Sequence, residues 1–222
     1  MLPFKYVEEH VKPERATNNR KIYRDNWWLA GEARPGMRAA LTGLKRYIAT
    51  SRVAKHRIFV WLPVEVLPSN ALTVITLDDD YTYGVLNSAV HISWVTKMSG
   101  WMGMGNDSQY TNVSFETYPF PHTTPDARAA VAKAGAYLHT IREHLKTSLS
   151  KTLTELYNDL QDCRVNPKPT HALYSLYDAH ERLDAAVIAA YGWNAPLGDD
   201  EILAKLLALN LERAVKSNPI NG

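Results

Sequence analysis

The sequence predicts an α+β fold, with a small mixed-sheet domain over residues 1–122 and an α-helical domain over residues 123–222 built around one long helix. Two observations carry this expectation. Up to about residue 123, short β-branched and aromatic runs alternate with Gly and Pro, as strands and turns require. Beyond it, apolar residues recur three and four apart over long stretches, the period of helices buried along one face.

In the first half, residues 34–49 read as a helix, because Met37, Leu41, Leu44 and Ile48 share one face. At roughly 100° per residue, Arg34, Arg38 and Lys45 fall within about 40° of one another beside that stripe. A row of cations would then flank the packing face and suit phosphate contacts. Residues 57–62 read as a strand stopped by Pro63, and residues 71–77 as a second closed by Asp78-Asp79-Asp80. Residues 81–86 read as a third strand, interrupted by Gly84. Ser88 suits the N-cap of a short helix over 89–98. Residues 99–108 have no period and read as an exposed loop. Residues 109–115 look extended and lead into Tyr118-Pro119-Phe120-Pro121, which continues neither a helix nor a central strand.

The second half opens on a helix start: Thr124 at the N-cap, Pro125 in the first turn, Asp126 against the dipole. Val131, Ala134, Leu138, Ile141, Leu145, Leu149, Leu153, Leu156 and Leu160 continue the period. Uninterrupted, that helix would be roughly 50 Å long and would offer a seam to another helix, in this chain or a second copy. Asn166-Pro167-Lys168-Pro169 breaks the chain, a further helix covers about 171–191 with Gly192 at its end, and another starts at Asp199 or Asp200.

With 45% hydrophobic and 22% charged residues, the composition is that of a globular protein. No apolar run reaches the roughly 18–20 residues of a membrane span, and the first residues lack a secretory signal pattern. The single cysteine, Cys163, excludes an internal disulfide; a cytoplasmic location is expected. Residues 15–57 hold eleven cations against Asp25 and Glu32, a charge of +9, so the remainder carries −7 to reach the net +2. Such a block is the footprint of a polyanion-binding surface, although a solvated face without a partner carries the same charge.

No catalytic motif is present. His139 and His144 are five apart, off the spacing that puts two metal ligands on one helical face. There is no GxSxG elbow, no CxxC and no Gly-rich phosphate loop in a strand–turn–helix context. What remains is a recognition surface. Ser51, Arg52, Lys55 and His56 gather hydroxyl and cationic groups that suit DNA phosphates. Lys97, Asn106, Asp107 and Gln109 are residue types that read base edges.

Four strings, in order along the chain, carry a resemblance. They are Thr50-Ser51-Arg52-Val53-Ala54-Lys55-His56-Arg57-Ile58-Phe59, then Tyr83-Gly84-Val85-Leu86-Asn87-Ser88 with His91 and Trp94. Next come Tyr110 with Phe115-Glu116-Thr117-Tyr118-Pro119-Phe120-Pro121, and Leu183 to Trp193 with Leu209-Asn210-Leu211-Glu212-Arg213. Together they resemble the target-recognition and C-terminal region of MmeI-like restriction–modification enzymes and related S-adenosylmethionine-dependent adenine-N6 DNA methyltransferases. The resemblance implies a target-recognition domain over 1–122, incomplete at its N-terminal side, and a helical domain over 123–222. It implies double-stranded DNA and an upstream methyltransferase domain or subunit as partners. The family's (N/D)PP(Y/F) tetrapeptide is absent, since Asn166-Pro167-Lys168-Pro169 and Asn218-Pro219-Ile220 do not fit it. The resemblance therefore places S-adenosylmethionine in the parent protein and no cofactor in this chain. The competing reading is a helical subunit-interaction or dimerisation module that does not itself bind DNA.

Overall fold

The computed structural model describes residues 2–29, 34–98, 100–102, 107–194 and 196–217, and divides into two compact units, Met1–Gly43 and Leu44–Gly222. The first unit holds three helices, α1 (Pro3–Ala16), α2 (Lys21–Asp25) and α3 (Pro35–Ala40), none of which buries a residue. The Arg15 guanidinium fastens the end of α1 to the segment after α2, donating to the Trp27 carbonyl at 2.9 Å and to that of Leu29.

The helix expected over 34–49 stops at Ala40. Gly43 takes a positive φ of 87°, and Arg46–Ser51 becomes strand β1 of the second unit. The apolar spacing was ambiguous there. Strand pairing on both edges satisfies the backbone of 46–51 and fully buries Tyr47, Ile48 and Ala49. Lys45 consequently does not share a helix with Arg34 and Arg38.

The remaining strands are β2 (Val53–Ala54), β3 (Val60–Pro63), β4 (Leu72–Ile75), β5 (Gly100–Met102) and β6 (Asp107–Gln109). They form two three-stranded sheets, β3-β1-β4 and β2-β6-β5, with every pairing antiparallel. Ile48 lies opposite Trp61 and Ile75, and Val53 opposite Gln109. Helices α4 (Asp80–Asn87), α5 (Ala89–Met98), α6 (Asn112–Glu116), α7 (Pro125–Ser148), α8 (Leu153–Val165), α9 (Tyr174–Ala190) and α10 (Asp199–Ser217) complete the unit. The α+β class stands.

Further expectations are corrected. Residues 81–86 form α4 rather than a strand, because Asp79 caps them by accepting from the Thr82 N–H at 3.0 Å. Gly84 serves a close helix crossing: a Cβ there would meet the Val131 carbonyl of α7 at 2.9 Å, and one at Gly135 would meet the Asp80 carbonyl at 2.8 Å. Residues 112–116 are helical, started by Thr111. The long helix is α7, 24 residues or about 36 Å. It ends where Ser150 adopts φ 50°, and Thr152 with Glu155 forms a capping box that starts α8. Of the 99–108 loop, the ends pair as β5 and β6, while residues 103–106 lie outside the described residues.

One core spans residues on both sides of 123, with Val85, Val90 and Trp94 packed with Val131, Leu138, Leu160, Leu176 and Leu183. A second cluster gathers Ile48, Phe59, Tyr83, Leu86 and Tyr110 behind the first sheet. Between them lies Arg142 of α7, 1% exposed. Its Nη1 donates to the Phe59 carbonyl at 2.8 Å and to Tyr83 Oη at 2.9 Å, and its Nη2 to Asn87 Oδ1 at 3.1 Å and Tyr157 Oη at 2.6 Å. Asn87 Oδ1 also accepts from the Phe59 N–H at 3.2 Å. Burial works against the guanidinium charge, but the oxygens of Tyr157 and Tyr83 outweigh it and hold the pKa above its ordinary value. Arg142→Ala should lower unfolding free energy in urea by about 3–4 kcal/mol, from a cavity plus orphaned oxygens. A loss below about 1 kcal/mol would contradict this role.

Candidate functional site

The chain passes from the first sheet to the second at Arg52. Its N–H donates to the Ala71 carbonyl at 2.8 Å beside β4, and its carbonyl accepts from the Tyr110 N–H at 2.7 Å beside β6. With the peptide held on both sides, the Arg52 side chain is exposed, as are Ser51 and Lys55. Lys55 Nζ and His56 Nε2 each lie 2.8 Å from Asn158 Oδ1 on α8, so one amide oxygen orients both groups.

Arg57, the last cation of this turn, is half-buried. Its guanidinium donates to Thr50 Oγ1 at 3.1 Å, to the Ser51 carbonyl, and to the Ser108 carbonyl on β6 at 2.6 Å. Burial lowers its pKa to about 10. The sequence marked the whole 51–57 run as cationic, but one of its guanidiniums is spent on backbone carbonyls.

Lys55, His56, Arg57 and Lys97 line one open cleft of about 500 Å³, to which the helical half adds Arg164, Asp184, Asp199 and Asp200. Lys97 is exposed on the last turn of α5, a helix whose start Ser88 supports by accepting from the His91 N–H at 3.3 Å. Lys45 is exposed just before β1, and Gln109 is half-buried on β6 opposite Val53. Asp107 is on β6 opposite Met102, with its side chain outside the described residues, and Asn106 lies outside them altogether. Arg38 belongs to α3 of the first unit, and Arg34 stands at its N-cap. Three of the residues singled out in the sequence therefore meet in space, and Arg52 adjoins them along the chain.

Sequence reasoning missed Asn158, which holds Lys55 and His56, and Arg164 and Asp184, which line the cleft, because all three arrive only through the packing of α8 and α9. Asp184 Oδ1 accepts from the Ala89 N–H at 2.7 Å, and burial pushes its pKa up to about 7. Behind it, Tyr157 accepts from Arg142 and lies 2.8 Å from His180 Nε2. Burial, together with Arg142 and Arg164, holds the His180 pKa well below its ordinary value, so Nε2 is free to accept the Tyr157 proton. Among the described residues, no three His, Cys, Asp or Glu side chains gather as metal ligands, and no helix is long and apolar enough to cross a membrane.

No family model matches the chain. It is 29% identical over 149 residues to DNA methyltransferase A of Bacillus subtilis (strain 168), which covers 67% of this chain and 15% of that protein. It shares its fold with part of the type IIL restriction–modification enzyme MmeI, solved in complex with DNA, at a TM-score of 0.65 and 16% identity. That match covers 95% of this chain and 26% of MmeI. The chain thus spans about a seventh of the length of the methyltransferase it matches and about a quarter of MmeI.

The Asp184 environment has a pH signature. An unfolded Asp loses its proton near pH 4, whereas the folded group keeps it up to about pH 7, so its contribution to stability declines as pH rises between those values. Asp184→Asn can still accept from Ala89 but never acquires the charge. Its Tm should match wild type near pH 4 and exceed it at pH 8. An equal change with pH in both proteins would contradict the assignment. Comparing the two removes the opposite trend from His91 and His180, whose lowered pKa values reduce stability toward acid.

Proposed function

We propose that this chain is the duplex-DNA recognition portion of a cytoplasmic DNA adenine-N6 methyltransferase or restriction–modification protein, with methyl transfer performed elsewhere in the parent. The observation that carries the reading is the meeting of Lys55, His56 and Lys97, from a sheet-crossing turn and a helix end, beside exposed Arg52. The likeness in fold to a portion of MmeI supports it. In this reading Ser51, Arg52, Lys55 and His56 hold phosphates, with Arg34, Arg38 and Lys45 as further backbone contacts. Lys97, Asn106, Asp107 and Gln109 read base edges. Residues 1–122 do the recognising, and the helices of 123–222 brace them. S-adenosylmethionine serves the parent's catalytic portion.

A second reading is favoured by one feature. Leu207, Leu211 and Val215 are exposed one helical turn apart on α10, as a subunit contact would be. Light scattering that shows a concentration-dependent dimer, with no affinity for DNA, would favour it.

Fluorescence anisotropy on short duplexes distinguishes the two. Binding should be tight at low salt and fall steeply with salt. Arg52→Ala and Lys55→Ala should weaken binding to every sequence, and the logarithmic salt slope should shrink by about 0.9 for each phosphate no longer neutralised. Substitution of Gln109 should instead shift sequence preference. Unchanged affinity in both cation variants would refute the placement of the surface.

A further inference from the structure

The proposed surface has two parts that serve different ends: the turn at residues 51–56, which would hold phosphates, and the β5–β6 pair, which would read bases. Phosphate contacts fix register, while discrimination depends on where the reading strand stands relative to that register. The geometry between the two parts therefore matters as much as either part.

Arg57 spans that junction. Its Nη1 is shared between Thr50 Oγ1 and the Ser51 carbonyl at the end of β1, and its Nη2 donates to the Ser108 carbonyl at 2.6 Å and approaches Ser108 Oγ at 3.4 Å. The guanidinium also lies 5.4 Å from the centre of the Tyr110 ring. Its Nε is buried with no hydrogen-bond partner. Among the described residues it forms no ion pair with a carboxylate. A lysine at this place would carry the same charge but offers no planar fork, so it cannot bridge carbonyls of two strands in fixed geometry. The β2–β6 pairing beside it is short, with only Val53 opposite Gln109 and Ala54 opposite Ser108.

We infer that Arg57 is a positioning residue for sequence discrimination: its bonds to the end of β1 and to β6 set the β5–β6 reading strand against the phosphate-holding turn. This rests on the DNA-recognition reading above. Nonspecific affinity depends on Arg52 and Lys55 and is separable from Arg57, whereas the ratio of preferred to unrelated sequence depends on it.

The test uses the full chain, a duplex selected from a random pool as its preferred site, and an unrelated duplex of equal length. Arg57→Lys should leave affinity for the unrelated duplex and its salt slope within about twofold, because the charge is kept. The preference for the selected site should fall about tenfold, the scale of a single bidentate reading of a base edge. The Tyr110 amide, which donates to the Arg52 carbonyl, should exchange faster while amides of α7 keep their protection. If Arg57→Lys does not fold, Thr50→Val removes one acceptor, keeps the guanidinium and should reduce the preference about threefold. An undiminished preference in the folded variant overturns the inference. A wild-type chain that binds no duplex, or binds all equally, instead overturns the DNA-recognition reading and this inference with it.

Discussion

A buried positive charge that, among the described residues, is bonded to no carboxylate is the constraint around which this unit is built. Arg142 is compensated by four neutral oxygens drawn from the segment before β3, from α4 and from α8. Each neutral acceptor must stand close and correctly aimed, because an isolated buried cation costs far more than any single hydrogen bond returns. The arrangement extends further, since Asn87 also holds the Phe59 N–H and Tyr157 reaches His180 on α9. Phe59 is thereby locked to α4 through its N–H and to α7 through its carbonyl. The turn at 51–57, two residues upstream, inherits that anchorage, so the exposed cations stand on a framework fixed from behind.

The four sequence strings that resemble the restriction–modification and methyltransferase family are joints of this framework. Phe59 of the first meets Asn87 of the second. Tyr118 and Pro119 of the third lie 2.7 and 3.0 Å from the Tyr191 hydroxyl of the last. Asn210 and Arg213 donate to the Thr117 and Phe120 carbonyls at 2.6 and 2.7 Å. Long-range hydrogen bonds of this kind demand particular residue types at both ends, which explains why the strings are recognisable while the helix faces between them are generic apolar repeats.

Helix starts were legible wherever a cap stood beside a clear period, as at Thr124 and Ser88, and so was Gly192, whose φ of 72° ends α9. Legibility failed where two periods fitted the same residues. Tyr81, Tyr83 and Val85 alternate as a strand would, yet Asp79 and the crossing at Gly84 make the segment helical. Thr152 and Glu155 did spell a capping box, but the leucine period running through them masked it. The candidate site was half legible. Lys55, His56 and Lys97 do converge, whereas nothing local separates Arg52, which is exposed, from Arg57, whose guanidinium is held by a strand some fifty residues later. Asn158 and Asp184 reach the site through tertiary packing alone.

The central claim is that DNA meets this chain at the sheet-crossing turn and the end of α5, not along the helices. Amide hydrogen exchange of the full chain, with and without saturating short duplex at low salt, tests it directly. The expected result is added protection over residues 52–56, Lys97 and Gln109, with no change along the face of α10 that exposes Leu207, Leu211 and Val215. Protection confined to that face of α10, or none anywhere, would contradict the account.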